Sequence, residues 1–301
     1  MRLLVIGNGF DLHHGLKTGY KDYAQFLQEY YPDTIENIQG SKYFDGECLD
    51  IFDIMDPFWT DIESNLRFNF EWMLEETVDG YYPDMFEKSD ARWHRAEFDS
   101  EEKVKEVDTT FTTNALVNWI QSIDVSKADE SRKVAIFSSD VFVCFNYTET
   151  LEQFYKVSPE RILHIHGCIS NPDSLQFGNP EQTSSVVKKE FENAYGDDDF
   201  YGMSIEPAAD NYAALADSFS KDIDSNIPKL EEFLTGKNVD EVVIMGHSYS
   251  GVDKLYYEKM LIPRFMKAKW TIYCYTDNDF YDAQKYISEK NLNGEAVYWK
   301  H

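Results

Sequence analysis

The stretch Leu3-Leu4-Val5-Ile6-Gly7-Asn8-Gly9-Phe10-Asp11 decides how the rest of the chain is read. Four apolar residues in a row predict a short strand buried on both faces, as strands of parallel sheets are. The Gly-x-Gly that follows puts a turn at the carboxyl end of that strand, where doubly wound sheets bind their ligands. Glycines there let the backbone approach a pyrophosphate, and the next helix offers N–H groups and a positive dipole end. Leu12 replaces the usual third glycine, and no second strand follows with a ribose-binding acid, which counts against an ordinary NAD dehydrogenase. Gly7 and Gly9 equally fit a plain turn.

Outward from this stretch, further strands are predicted over 141–145, 161–165, 241–245, 270–275 and 295–299, with helical segments between most of them. A helix is expected over 20–31, stopped by Pro32. Trp59, Ile62, Leu66, Phe70 and Met73 recur at helical spacing, and so do Leu116, Trp119, Ile120 and Ile123. The segment 45–124 therefore reads as a largely helical insertion. The stretch 205–234 is helical again, with Tyr212, Leu215, Phe219 and Ile223 on one stripe and Pro228 expected to kink or restart it. Residues 196–199 and 291–294 read as loops. Strands alternating with helices predict an α/β, Rossmann-like fold with a mostly parallel sheet, a single domain over 1–301 carrying the helical insertion.

Composition narrows the function. Of 301 residues, 43% are hydrophobic and 16% aromatic, which excludes a disordered chain. No run approaches the roughly 18 apolar residues of a membrane span, and the opening lacks a signal peptide's layout, so a cytoplasmic location is expected. Cys48, Cys144, Cys168 and Cys274 are scattered without a Cys-x-x-Cys pair, so no metal and no disulfide frame is expected. Cys144 and Cys274 lie in apolar runs, the setting of small buried hydrophobes. A net charge of −27, from 28 basic and 55 acidic residues, argues against a nucleic-acid partner. It fits a solvated surface better than an acidic mimic of DNA.

Three more motifs could carry chemistry. In Phe145-Asn146-Tyr147-Thr148-Glu149, Asn146 either presents its amide to a ligand or caps a helix with Glu149 as capping box. In His164-Ile165-His166-Gly167, residues two apart on a strand place both imidazoles on one side. A histidine at a strand exit suits a general base. In Gly246-His247-Ser248-Tyr249-Ser250-Gly251, Ser248 imitates a nucleophile elbow, with Asp277 or Asp279 and then His301 in triad order. Ser250 stands where that elbow wants glycine, and a second Gly-Ser turn at the ligand edge is the alternative.

Together these blocks resemble the AbiH family, named for bacteriophage abortive infection. The resemblance runs through Ile6-Gly7-Asn8-Gly9-Phe10-Asp11-Leu12, His14-Gly15-Leu16, Thr18, Tyr20 and Asp22-Tyr23. It continues through 145–152, His164-Ile165-His166-Gly167, Phe177-Gly178, Gly246-His247-Ser248 and Asp253. Lys17 and Gly19 depart from it. The family in turn resembles the sirtuin-like fold. That resemblance implies Gly7, Asn8, Gly9, Asp11, Gly246, His247 and Ser248 at a dinucleotide, with Asn146 and His166 as catalytic residues. The sirtuin zinc quartet is absent, so acyl-lysine removal is not implied. The expectation is a phage-defence effector that binds NAD or a related nucleotide and hydrolyses the nicotinamide–ribose bond, released by a phage-derived trigger or partner protein. A nucleotide sensor without turnover and a serine hydrolase using Ser248 are the alternatives.

Overall fold

Six strands form where the apolar runs predict them: β1 (Arg2–Ile6), β2 (Val141–Cys144), β3 (Ile162–His164), β4 (Glu241–Met245), β5 (Lys269–Cys274) and β6 (Gly294–Tyr298). In the computed structural model, which describes residues 1–33, 53, 57–65, 68–79, 95–111, 115–195 and 199–299, all six pair in parallel. Their order is β3-β2-β1-β4-β5-β6, that of a doubly wound dinucleotide-binding sheet. β1 lies between β2 and β4, with Leu3 opposite both Val141 and Val242.

The chain divides into two compact units, one of Met1–Gly19, Ile120–Leu175 and Asp222–His301, the other of Tyr20–Trp119 and Gln176–Lys221. The first holds the sheet. Side chains alternate along each strand, so Leu3, Val5, Val143, Val242 and Ile244 join one core and Leu4, Ile6, Phe142, Cys144 and Val243 the other. The first core is closed by Leu230 and Leu234 of the helix Ile223–Leu234, by Tyr256 to Phe265, and by Ala283. The second is closed by Phe10, Leu151, Val157 and Trp299. Burial of both faces explains why the strands read as unbroken apolar runs. Cys144 and Cys274 are buried in these cores as small hydrophobes.

The regular elements described in the second unit are helices, apart from an isolated bridge at Phe68, and the unit takes in the expected insertion as far as Trp119. The helix Tyr20–Tyr30 ends one residue before its predicted limit and buries Tyr23, Ala24 and Leu27. The stripe from Trp59 to Met73 is buried as predicted at Trp59, Ile62, Phe70 and Met73, while Leu66 lies outside the described residues. It is not one helix. It breaks into Pro57–Thr60, Ile62–Asn65 and Phe70–Asp79, because Asp61 and Asn69 accept the N–H groups of Ser64 and Trp72 and start new helices. The break in 205–234 falls at 219–222 and not at Pro228, which sits inside a helix. Asp222 starts that helix by accepting the Ser225 N–H at 3.0 Å. Gly178, at φ +121°, is obligatory: a Cβ there would lie 1.7 Å from the Phe219 carbonyl oxygen. Most of the loop expected at 196–199 lies outside the described residues, and Asp199 already begins the helix Asp199–Ser218.

Candidate functional site

The strand order reverses between β1 and β4, so the crevice beyond their carboxyl ends is the expected binding place. Two turns meet there. The Gly7 N–H donates to the Met245 carbonyl at 3.1 Å and the Gly9 N–H to the Gly246 carbonyl at 2.8 Å. A Cβ on Gly7 would lie 2.5 Å from His247 Cα, and one on Gly246, at φ +65°, 2.2 Å from the Phe10 nitrogen. These glycines let two backbones interlock, and the Gly7 and Gly9 N–H groups already donate within the protein. The Asn8 amide donates to the Thr18 carbonyl at 2.8 Å and pins the loop that follows the helix Asn8–His13. His14 anchors that helix from its other end. Its Nδ1–H donates to the Phe10 carbonyl at 2.6 Å, and the Tyr155 hydroxyl donates to its Nε2 at 2.6 Å. Burial lowers the His14 pKa, in keeping with that neutral form.

Gly9, Gly246, His247 and Ser248 line one cleft of ≈ 440 Å³, together with Tyr249, Tyr275 and Tyr286. The Ser248 hydroxyl is exposed and pairs with the Ser250 hydroxyl at 2.9 Å. No histidine is bonded to it among the described residues. The ring nitrogens of His247 face the Tyr257 hydroxyl at 2.7 Å and Asp253 Oδ2 at 3.3 Å. Asp279 caps its own helix through Thr276, and Asp277 accepts from Tyr298, so neither serves a triad. His301 lies outside the described residues.

His166 is placed differently from its predicted position. Strand geometry ends at His164, so the two histidines do not share a side. His164 packs with Glu152, its Nε2 2.8 Å from Oε1. Burial pulls its pKa down, but Cys144 and Glu152 outweigh burial and hold the ring charged. His166 turns to the opposite core, edge-on to Phe145, with Nε2 3.2 Å from the Tyr256 hydroxyl and 3.5 Å from Asp253 Oδ1. It is 1% exposed and does not line the cleft of Gly9 and Gly246. One carboxylate, Asp253, thus stands between His166 and His247, and both rings pack on Phe145. Tyr256 and Tyr257 are consecutive and both fully buried, each meeting one of these histidines. The π-helical turn Tyr257–Leu261 follows directly on the short helix Lys254–Tyr256. Sequence reasoning named Asp253 only through the AbiH resemblance and missed Tyr256 and Tyr257; His166 lies 90 positions from Tyr256, and no local spacing pattern joins them.

Asn146 does not cap a helix: the next helix, Thr150–Gln153, begins after Glu149 without a side-chain cap. Instead Asn146 joins a buried polar cluster with Asp11, Thr148 and Thr150. The Thr148 hydroxyl donates to Asp11 Oδ2 in a short hydrogen bond. Burial raises the Asp11 pKa to about 6, against the Thr148 hydrogen bond first and then the neighbouring Thr150 and Asn146 side chains, which lower it. Asp11 Oδ1 and Asn146 Oδ1 are buried oxygens that accept no hydrogen bond.

A folded pKa above the unfolded one means that folding favours protonated Asp11. Its contribution is fully present below pH 3.8 and is lost as the pH rises through about 6. At pH 8 the buried charge costs roughly 3 kcal/mol. Asp11→Asn is therefore expected to be more stable than the natural protein at pH 8 and level with it at pH 4, by urea denaturation. The same difference at both pH values would show that Asp11 is not held in this way.

Among the described residues, no helix is long and apolar enough to cross a membrane. A parallel sheet of this order, with glycine turns at its switch point and polar residues at its carboxyl edge, defines a Rossmann-like α/β protein. The family model for Bacteriophage abortive infection AbiH matches residues 3–274, and the chain belongs to that family. No curated protein and no solved structure matches it.

Proposed function

We propose that this chain is a phage-defence effector that binds NAD, or a closely related nucleotide, and hydrolyses its nicotinamide–ribose bond. Membership in the AbiH family supports the phage-defence role. The ligand reading is carried by the two buried oxygens of Asp11 and Asn146 that accept no hydrogen bond, at the exits of β1 and β2. A buried acceptor left unmatched is costly, and two in one cluster suit the paired hydroxyl donors of a ribose. The resemblance to sirtuins, where a strand-end Asn and a His-Gly surround NAD, points the same way.

The chemistry asks little of the protein. Nicotinamide leaves NAD as a neutral molecule, so no general acid is needed. An oxocarbenium-like ribose needs a nearby negative charge, which Asp11 supplies above pH about 6. Asn146 positions the ribose or the attacking water. His166 serves as base only after Tyr256 gives it up, which ties turnover to a trigger, either a phage-derived signal or a partner protein. That same enclosure, 1% exposure under Tyr256 and beside Asp253, favours a second reading, a nucleotide sensor without turnover.

The test pairs calorimetry of NAD binding with an assay for free nicotinamide, on the natural protein and on Asn146→Ala. Release of nicotinamide that drops about 100-fold in Asn146→Ala supports hydrolysis. Binding that Asn146→Ala weakens, with no release, supports the sensor. Absence of NAD binding in the natural protein overturns both.

A further inference from the structure

Resting on that nucleotide reading, we infer that the cleft beyond β4 and β5 takes the adenosine half of the ligand and excludes a 2′-phosphate, so that the nucleotide is NAD and not NADP. The cleft measures ≈ 440 Å³, within the range of roughly 300–1,000 Å³ of small-molecule sites. It opens beside Gly9 and Gly246, at the switch point, and its far wall is the helix Asp277–Glu289.

Its lining is aromatic and acidic. Tyr249 and Tyr286 lie with ring centroids 4.3 Å apart, and Tyr275, held by its hydroxyl to the Gly9 carbonyl at 2.9 Å, stands at the glycine end. Such rings offer a purine a stacking surface. The Tyr286 hydroxyl is buried and has no hydrogen-bond partner, which leaves a donor for a base nitrogen. Asp279, Asp282 and Glu289 line the same space, and Lys285 is its single Lys or Arg. Lys285 lies 3.9 Å from Glu289, so even this cation is shared with a carboxylate. Asp279 is committed to its helix cap, which leaves Asp282 and Glu289 for a ligand. Burial first, then Cys274, Asp282 and Asp279, push the Tyr249 hydroxyl pKa up, so the field of these carboxylates reaches into the cleft.

A ribose hydroxyl can donate to such a carboxylate, whereas a phosphate dianion would face like charges in a partly enclosed space. In ordinary dinucleotide-binding sheets an acid on the ribose 2′-hydroxyl selects NAD, and an arginine accommodates the 2′-phosphate. Among the described residues no strand bearing such an acid follows β1 before Val141, and the helix Asp277–Glu289 supplies carboxylates from the other half of the sheet.

Calorimetric titration of the full chain with NAD, NADP and nicotinamide mononucleotide tests the inference, alongside the variants Asp282→Asn and Glu289→Gln. NAD is expected to bind at least about tenfold tighter than NADP and than the mononucleotide. The combined substitution Asp282→Asn with Glu289→Gln is expected to narrow the NAD-to-NADP gap. Equal binding of NAD and NADP, a gap that the combined substitution leaves unchanged, or a mononucleotide as tight as NAD would each overturn the inference and leave the nucleotide reading standing. If none of the three binds, the nucleotide reading fails and this inference with it.

Discussion

Replacing Gly246 by Ala is expected to lower the stability of the chain by at least about 4 kcal/mol, a large part of what a folded domain holds. Two costs combine. Gly246 has φ +65°, a left-handed conformation that costs an alanine roughly 1–2 kcal/mol. Its new Cβ would also sit 2.2 Å from the Phe10 nitrogen and 2.4 Å from the Gly9 carbonyl carbon, backbone atoms that cannot swing aside. Relief requires the turns after β1 and β4 to part, which breaks the Gly9–Gly246 and Gly7–Met245 hydrogen bonds. Gly236→Ala is the control. It shares a positive φ of 74°, but nothing lies within 4 Å of its added Cβ. Only the conformational cost of about 1 kcal/mol should appear there. Denaturant midpoints and soluble yield measure both variants, and equal losses would show that the interlock of the two turns contributes nothing.

His166→Ala is expected to cost about 3 kcal/mol in the same measurement. A histidine at the exit of a strand has, from sequence alone, little core to lose, and its removal would be expected to spare the fold. The structure reverses this. The ring is 1% exposed, packs edge-on to Phe145, and shares Asp253 with His247. Truncation leaves a cavity in the core and leaves Asp253 with one histidine in place of two. Any nicotinamide-release assay on this variant should therefore be run under conditions where circular dichroism shows it folded. An unchanged denaturation midpoint would place His166 outside the core packing.

Much of the fold was legible because it depends on short-range pattern. The apolar runs at 3–6, 141–144 and 241–245 needed no partner to be recognised, since burial on both faces leaves no room for polar alternation. Failures came where one side chain redirects the backbone. Asp61 and Asn69 restart helices inside an apparently continuous stripe, and Asp222 rather than Pro228 sets the later break. Each is a local cap competing with a longer-range periodicity.

The candidate site divides along the same line. Short-range pattern set Gly7, Gly9, Gly246, Asn146 and His166 after apolar runs, and the motifs around them carry the AbiH resemblance. The packing of the strands fixed what these residues touch. It turned the three glycines into an interlock of two backbones, set Asn146 beside Asp11, and enclosed His166 between Phe145, Tyr256 and Asp253. It also brought Asp253 between two histidines 81 positions apart in sequence, His166 and His247. The reason is physical: strand exits are set by hydrophobic runs within a few residues, whereas hydrogen-bond partners are set by which strands become neighbours. In a sheet of order β3-β2-β1-β4-β5-β6, the neighbours of β1 come from 141 and 241, distances over which no spacing rule operates.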